Sequence, residues 1–265
     1  MSIYETQSNV NIPNEWGTVN KFFVTRLPYF LYTETREMEG VEMTNRLGII
    51  TIGQAPRVDM VPEMRTLLPD HIEVIEKGAI DDFSSEDLLT LAPKEGDITL
   101  VSRLKNGEAV TVSERAILPL LQEKISLLEE MGTTTTIIAC TGTFPPFKSK
   151  HPLLYPDRVL THFVSGILPH GKLGIIVPLP EQIAAMREKW ERPNLQLAFT
   201  AASPYDKGTD FEYAGRVLQE QGVDVIVLDC MGYSVSMKER VKNVVNVPVI
   251  LSRSVVARAA AEMVS

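Results

Sequence analysis

From residue 47 onward the chain alternates short β-branched apolar runs with longer amphipathic stretches. That rhythm belongs to strands feeding crossover helices, because a strand buried on both faces is apolar throughout while a covering helix is apolar on one side. The runs predict strands at 47–52, 72–76, 98–103, 134–139, 173–177, 195–200, 223–228 and 247–251. Helices are expected between them, among them 113–131, with Ser113 able to act as N-cap, and 209–221. Asn106-Gly107, between two alternating runs, predicts a hairpin with a type I′ turn.

Superimposed on this rhythm is an internal repeat. Leu128-Glu-Glu-Met-Gly-Thr-Thr-Thr-Thr-Ile-Ile-Ala-Cys140 lies over Leu218-Gln-Glu-Gln-Gly-Val-Asp-Val-Ile-Val-Leu-Asp-Cys230 without a gap. Leu47-Gly-Ile-Ile matches Leu173-Gly-Ile-Ile at an offset of 126 (47 to 173), larger than the 90 between the cysteines (140 to 230) because the first half carries the extra hairpin. A third anchor sets Arg158-Val-Leu-Thr-His over Val249-Ile-Leu-Ser-Arg, with an offset of 91 (160 to 251). The expected fold is therefore α/β, with two pseudo-symmetric parallel-sheet halves, 43–170 and 171–265, and an active-site cleft between them. A C-terminal helix is expected to pack back on the first half.

Residues 1–42 depart from the pattern: they are polar and rich in Asn, Glu and Thr, with one apolar island, 22–32, broken by Arg26 and Pro28. They lack the basic start and clean apolar core of a secretory signal. We expect a dispensable or poorly ordered extension, the alternative being a tail that docks through Phe22, Phe23, Tyr29 and Phe30.

Charge narrows the partners. Lys and Arg number 26 against 34 Asp and Glu, a net charge of -8 with no dense basic stripe, so neither nucleic acid nor an anionic membrane is expected. No apolar run approaches the length of a membrane span. Two cysteines outside any Cys-x-x-Cys pair build no disulfide framework and point to a reducing, cytoplasmic setting. The four histidines show no metal-ligand spacing, so no metal is expected.

Both cysteines fall where a strand ends and the chain leaves the sheet, the edge at which open α/β folds bind ligands. Alone, each reads as a small buried hydrophobe. As a pair at equivalent repeat positions, Cys140 and Cys230 read as opposed acid and base. One thiolate removes a proton from the carbon beside a carboxylate, and the other thiol supplies one to the opposite face. The following loops carry expected substrate-binding residues: Thr141, Gly142 and Thr143, whose N–H groups can form an anion nest, and Met231, Gly232 and Tyr233. Two further strand-end loops are expected at the cleft, with Gly53, Gln54 and Arg57 in one and Pro178 in the other; Arg57 is read as a bidentate carboxylate clamp. Arg103, Ser252 and Arg253 are weaker candidates, and Asp229 points away from the neighbouring sulfur by strand alternation.

Leu-Gly-Ile-Ile-Thr-Ile-Gly-Gln at 47–54, Gly-Ile-Ile-Val-Pro at 174–178, Val-Leu-Asp-Cys-Met-Gly-Tyr at 227–233 and Pro-Val-Ile-Leu-Ser at 248–252 are similar to the AroM family. More distantly the twin cysteine-bearing halves resemble the aspartate/glutamate/hydantoin racemase superfamily. That resemblance implies two α/β domains, catalysis in the cleft, no cofactor and, by analogy alone, a homodimer. Glutamate-type racemases resemble Cys-Asn-Thr and Cys-Thr-His in the two loops, whereas this chain has Cys140-Thr141-Gly142 and Cys230-Met231-Gly232. The expected function is cofactor-independent racemisation or isomerisation of a small carboxylate or amino-acid derivative. The alternatives are a decarboxylase or maleate-isomerase-like enzyme using Cys230, and a noncatalytic small-molecule binding protein.

Overall fold

The structure is a computed structural model and describes residues 45–265; the extension 1–42, with its apolar island, lies outside the described residues. In chain order the strands are β1 (Arg46–Thr51), β2 (Glu73–Gly78), β3 (Thr99–Arg103), β4 (Ala109–Ser113), β5 (Thr135–Ile138), β6 (Leu153–Leu154), β7 (Gly171–Val177), β8 (Leu195–Ala201), β9 (Val225–Leu228) and β10 (Val249–Leu251). The helices are α1 (Val61–Arg65), α2 (Ser85–Leu88), α3 (Glu114–Glu130), α4 (Pro156–Ile167), α5 (Ile183–Trp190), α6 (Phe211–Glu220), α7 (Val235–Lys242) and α8 (Ser252–Val264).

Two four-stranded parallel sheets hold the molecule, ordered β2-β1-β5-β6 and β8-β7-β9-β10, so the halves share one topology. The register repeats as well. Leu47 pairs with Thr135 and Leu173 with Val225, which reproduces the offsets of 126 (47 to 173) and 90 (135 to 225). Both faces of the central strands are sealed, with Leu47, Ile49, Ile50, Leu173, Ile175 and Ile176 all buried, as crossover helices require.

Three expectations are corrected. The third repeat anchor is displaced: Leu153 pairs with Thr136 and Val249 with Ile226, so the true offset is 96 (153 to 249), and Leu160 lies in helix α4. Strand β6 is only two residues long, caught between Pro152 and Pro156, too short to show a pattern of its own. The hairpin turn is also not type I′. Gly107 takes positive φ (+92°), Asn106 does not, and the loop closes through Gly107 N–H to Leu104 O and Leu104 N–H to Glu108 O. This is a three-residue loop, favoured because the Asn106 side chain accepts from Glu108 N–H at 2.9 Å and so curls its own backbone. Ser113 stands at the N-cap position of α3 but makes no capping bond, its hydroxyl turning to Asp97; Asp210 caps α6 by accepting from Tyr213 N–H.

The repeat's glycines end helices. Gly132 (φ +85°) and Gly222 (φ +67°) follow α3 and α6 and turn the chain into β5 and β9 in a left-handed conformation that a Cβ opposes. Gly132→Ala and Gly222→Ala should each cost about 1–2 kcal/mol in chemical denaturation. Nothing lies within 4 Å of a Cβ at Gly222, so its cost would be conformational alone.

Helix α8, at the end of the chain, crosses to the first sheet. Val256, Ala257, Ala260 and Val264 share a core with Leu47, Ile49, Met60 and Met64, and Asn45 Nδ2 donates to Val264 O at 3.1 Å.

Candidate active site

Strands β5 and β9 end two residues before Cys140 and Cys230, and each thiol is then overhung by its own loop. Gly142 N–H points at Cys140 Sγ (3.4 Å), and Gly232 N–H at Cys230 Sγ (3.3 Å). The same turn is thus built twice, which explains the Cys-x-Gly spacing in both halves. Cys140 is half-buried and Cys230 buried, both as free thiols.

The two cysteines line one cavity of about 580 Å³, together with Thr141, Gly142, Thr143 and Pro178. Its size suits a small molecule. Hairpin strand β3 and helix α5 complete the walls, through Leu100 and Met186 among others. Burial pushes the Cys140 thiol up to about 12, against the pull of Gly142 N–H and Lys189; negative charge on Cys230 pushes it the same way. Burial also raises Cys230, opposed by Gly232 N–H, the Tyr205 hydroxyl and Arg57.

The remaining expected binding residues are not among the walls of this cavity. Gly53 is pressed against the hairpin, where a Cβ would stand 2.3 Å from Arg103 O. Gln54 staples two loops, donating to Ile80 O and accepting from Lys105 N–H. Met231 belongs to the core beneath α8. Tyr233 is fully buried, edge-on to Phe211 with its hydroxyl on Ala202 O. Gly232 serves through its N–H.

Arg57 requires the largest correction. Its side chain is buried, and its carboxylate is internal: Nε and one terminal nitrogen donate to the two oxygens of Asp59 at 2.8 and 2.9 Å. The other terminal nitrogen donates to Thr51 Oγ1 and Ser102 Oγ, and the fifth N–H faces the Tyr205 hydroxyl at 3.5 Å. A guanidinium has five N–H donors, and all five are spent inside the protein.

Arg103 donates to Gly107 O and lies 3.7 Å from Asp59. Ser252 and Arg253 brace the second cysteine loop. The Ser252 hydroxyl reaches Leu228 O and Cys230 O, and Arg253 donates to Met231 O, Gly232 O and Glu63.

Two important residues, Lys189 and Tyr205, escaped the sequence reading, which places Asp229 away from the sulfur without finding its partner. Asp229, fully buried, holds Lys189 Nζ at 2.8 Å from both oxygens and accepts from Trp190 Nε1 at 2.7 Å. Lys189 also donates to Thr141 O, tying α5 to the loop of the first cysteine. An aspartate closing the run Val-Ile-Val-Leu was the signal that a buried cation had to exist. Tyr205, in the loop after β8, contacts Cys230 Sγ at 3.9 Å; the rule that ligand loops follow strand ends applied to it as much as to the loops chosen.

Among the described residues no helix is long and apolar enough to cross a membrane, and no group of three or more metal-ligating side chains occurs.

The family model described as AroM protein matches residues 47–264. Among curated proteins no match was found. Solved structures share the fold at low identity. Glutamate racemase from Francisella tularensis subsp. tularensis SCHU S4, in complex with D-glutamate, is 14% identical, with a TM-score of 0.55 over 83% of this chain and 81% of that one. Allantoin racemase from Klebsiella pneumoniae is 15% identical, with a TM-score of 0.54 over 83% and 87%. A liganded arylmalonate decarboxylase double mutant is 12% identical, with a TM-score of 0.54 over 83% and 92%.

Proposed function

The chain belongs to the AroM protein family, and from that premise we propose that it is a cofactor-independent isomerase that inverts a carbon beside a carboxylate, using Cys140 and Cys230 as opposed acid and base. One observation carries the reading: two thiols, from equivalent positions of a repeated half, line one small-molecule-sized cavity. One sulfur as thiolate takes the α-proton and becomes a thiol. The electron pair left on carbon delocalises into the carboxylate as an enediolate, and the opposite thiol then gives its proton to the other face. Atoms and charge balance without an oxidant.

Arg57 is spent on Asp59, Gly142 N–H faces Cys140 Sγ and the Thr141 hydroxyl donates to Asp229 O, so the substrate carboxylate is received by the N–H groups of Thr141 and Thr143 and the Thr143 hydroxyl. Donors fixed around a developing oxyanion favour the enediolate over the ground state. Free thiols suit a reducing compartment, and we assign the cytoplasm.

A second reading has its own support. The two sulfurs are unequally served: among the described residues a side-chain hydroxyl is bonded to Cys230 and none to Cys140. A decarboxylase or cis-trans isomerase working through Cys230 fits that asymmetry.

The test is incubation in deuterated solvent with a panel of small carboxylates and their amide-like derivatives. Inversion with α-deuterium incorporation is expected. Carbon dioxide release or double-bond isomerisation would replace the first reading by the second, and saturable binding without turnover of any member would overturn both.

A further inference from the structure

We propose that the Tyr205 hydroxyl, oriented by Arg57, is the donor that favours the thiolate of Cys230 and makes it the first of the two sulfurs to ionise. The direction of the hydrogen bonds follows from donor counting. A guanidinium has no acceptor, so in its 3.5 Å contact with Arg57 the Tyr205 oxygen must accept. Its own proton is then left for another partner, and Cys230 Sγ lies 3.9 Å away. Arg57 cannot swing free, because its other four N–H groups are fixed on Asp59, Thr51 and Ser102.

The phenol is well suited to donate and poorly suited to act as a base, since burial keeps it protonated far above its ordinary range. Space for it is kept by Gly232, where a Cβ would stand 2.5 Å from the Tyr205 hydroxyl. Gly232 therefore serves Cys230 twice, by its N–H and by lacking a side chain. Cys140 has a matching glycine N–H but, among the described residues, no side-chain hydroxyl bonded to it. Among the other ionisable groups, Asp229 opposes the ionisation of Cys230 and is held by Lys189, whereas Cys140 and Tyr233 are themselves pushed up by negative charge on Cys230.

Naming Cys230 the base of the resting enzyme rests on the two-cysteine reading, whereas the order of ionisation does not. The experiment therefore measures ionisation. Each cysteine's alkylation by iodoacetamide is followed by mass spectrometry from about pH 6 to 11 in the full-length wild type, Tyr205→Phe and Gly232→Ala. Cys230 should react at lower pH than Cys140. Tyr205→Phe should shift the Cys230 profile upward by about one pH unit, a roughly tenfold slower reaction at pH 8, and leave Cys140 unmoved. Gly232→Ala, which displaces the hydroxyl, should shift Cys230 the same way. A Tyr205→Phe protein with wild-type thermal stability and an unmoved Cys230 profile, or with both cysteines shifted equally, overturns the assignment. Absence of α-hydrogen exchange in the wild type would instead overturn the two-cysteine mechanism and leave this result standing.

Discussion

Cys140→Ser and Cys230→Ser should each lower the rate of inversion by about 10³-fold or more, while at least one of them still exchanges the substrate α-hydrogen with solvent. The magnitude follows from removing one member of an acid–base pair, which alone contributes about 10²–10⁴-fold. A serine hydroxyl also ionises far less readily than a thiol. The distinctive feature is the split between the two readouts. A protein with one working sulfur can take a proton from one face and return a solvent-derived one to the same face, so deuterium enters while configuration is kept. A cavity with a single working sulfur predicts something else: one serine variant retains full activity. Stereochemical analysis beside deuterium incorporation decides, and full inversion by either variant removes the two-sided mechanism.

The other large effect concerns stability. Lys189→Met should destabilise the protein by about 3–5 kcal/mol, because it leaves the Asp229 carboxylate buried with Trp190 Nε1 as its remaining side-chain donor. The side chains of Lys189 and Asp229 are only 3% and 0% exposed, so water cannot stand in for the lost ammonium. For a chain of this length each kcal/mol moves the melting temperature by about 2–4 °C, giving a fall of roughly 6–20 °C. Adding Asp229→Asn should recover most of the loss, since the pair is coupled and the uncompensated charge carries the cost. A single variant melting within about 2 °C of wild type would mean that solvent reaches the carboxylate. Lys189 also holds Thr141 O, so the same change should loosen the turn beside Cys140.

The sheets were legible in the sequence because central parallel strands are written as unbroken β-branched runs. Leu47-Gly-Ile-Ile and Leu173-Gly-Ile-Ile could be matched by eye and prove to be β1 and β7, the second strand of each sheet order. Strand β6 was not legible, since two residues between prolines carry no periodicity.

The cysteines could be found because a repeat marks equivalent positions whatever their environment. Side chains in strand-end loops could not be assigned the same way. Residing near the cleft does not decide which way a side chain turns, and Arg57 turns inward because Asp59, two residues on, offers a closer carboxylate than any ligand. Asp59 itself is held below the usual carboxylate range by Arg57 despite its burial, so the pair stays charged at neutral pH. Tyr205 shows the complementary difficulty. Its relevance depends on a guanidinium 148 residues away in the chain, which no local pattern records.

Helix α8 has a consequence for synthesis. Its residues are translated after the strands of both sheets, yet they cover Leu47 and Ile49 in the first sheet. A nascent chain on the ribosome must therefore carry an unfinished sheet face until helix α8 has emerged. Splitting the gene between the two halves would yield an amino-terminal fragment with a sticky, aggregation-prone surface, rescued by co-expression of the missing piece.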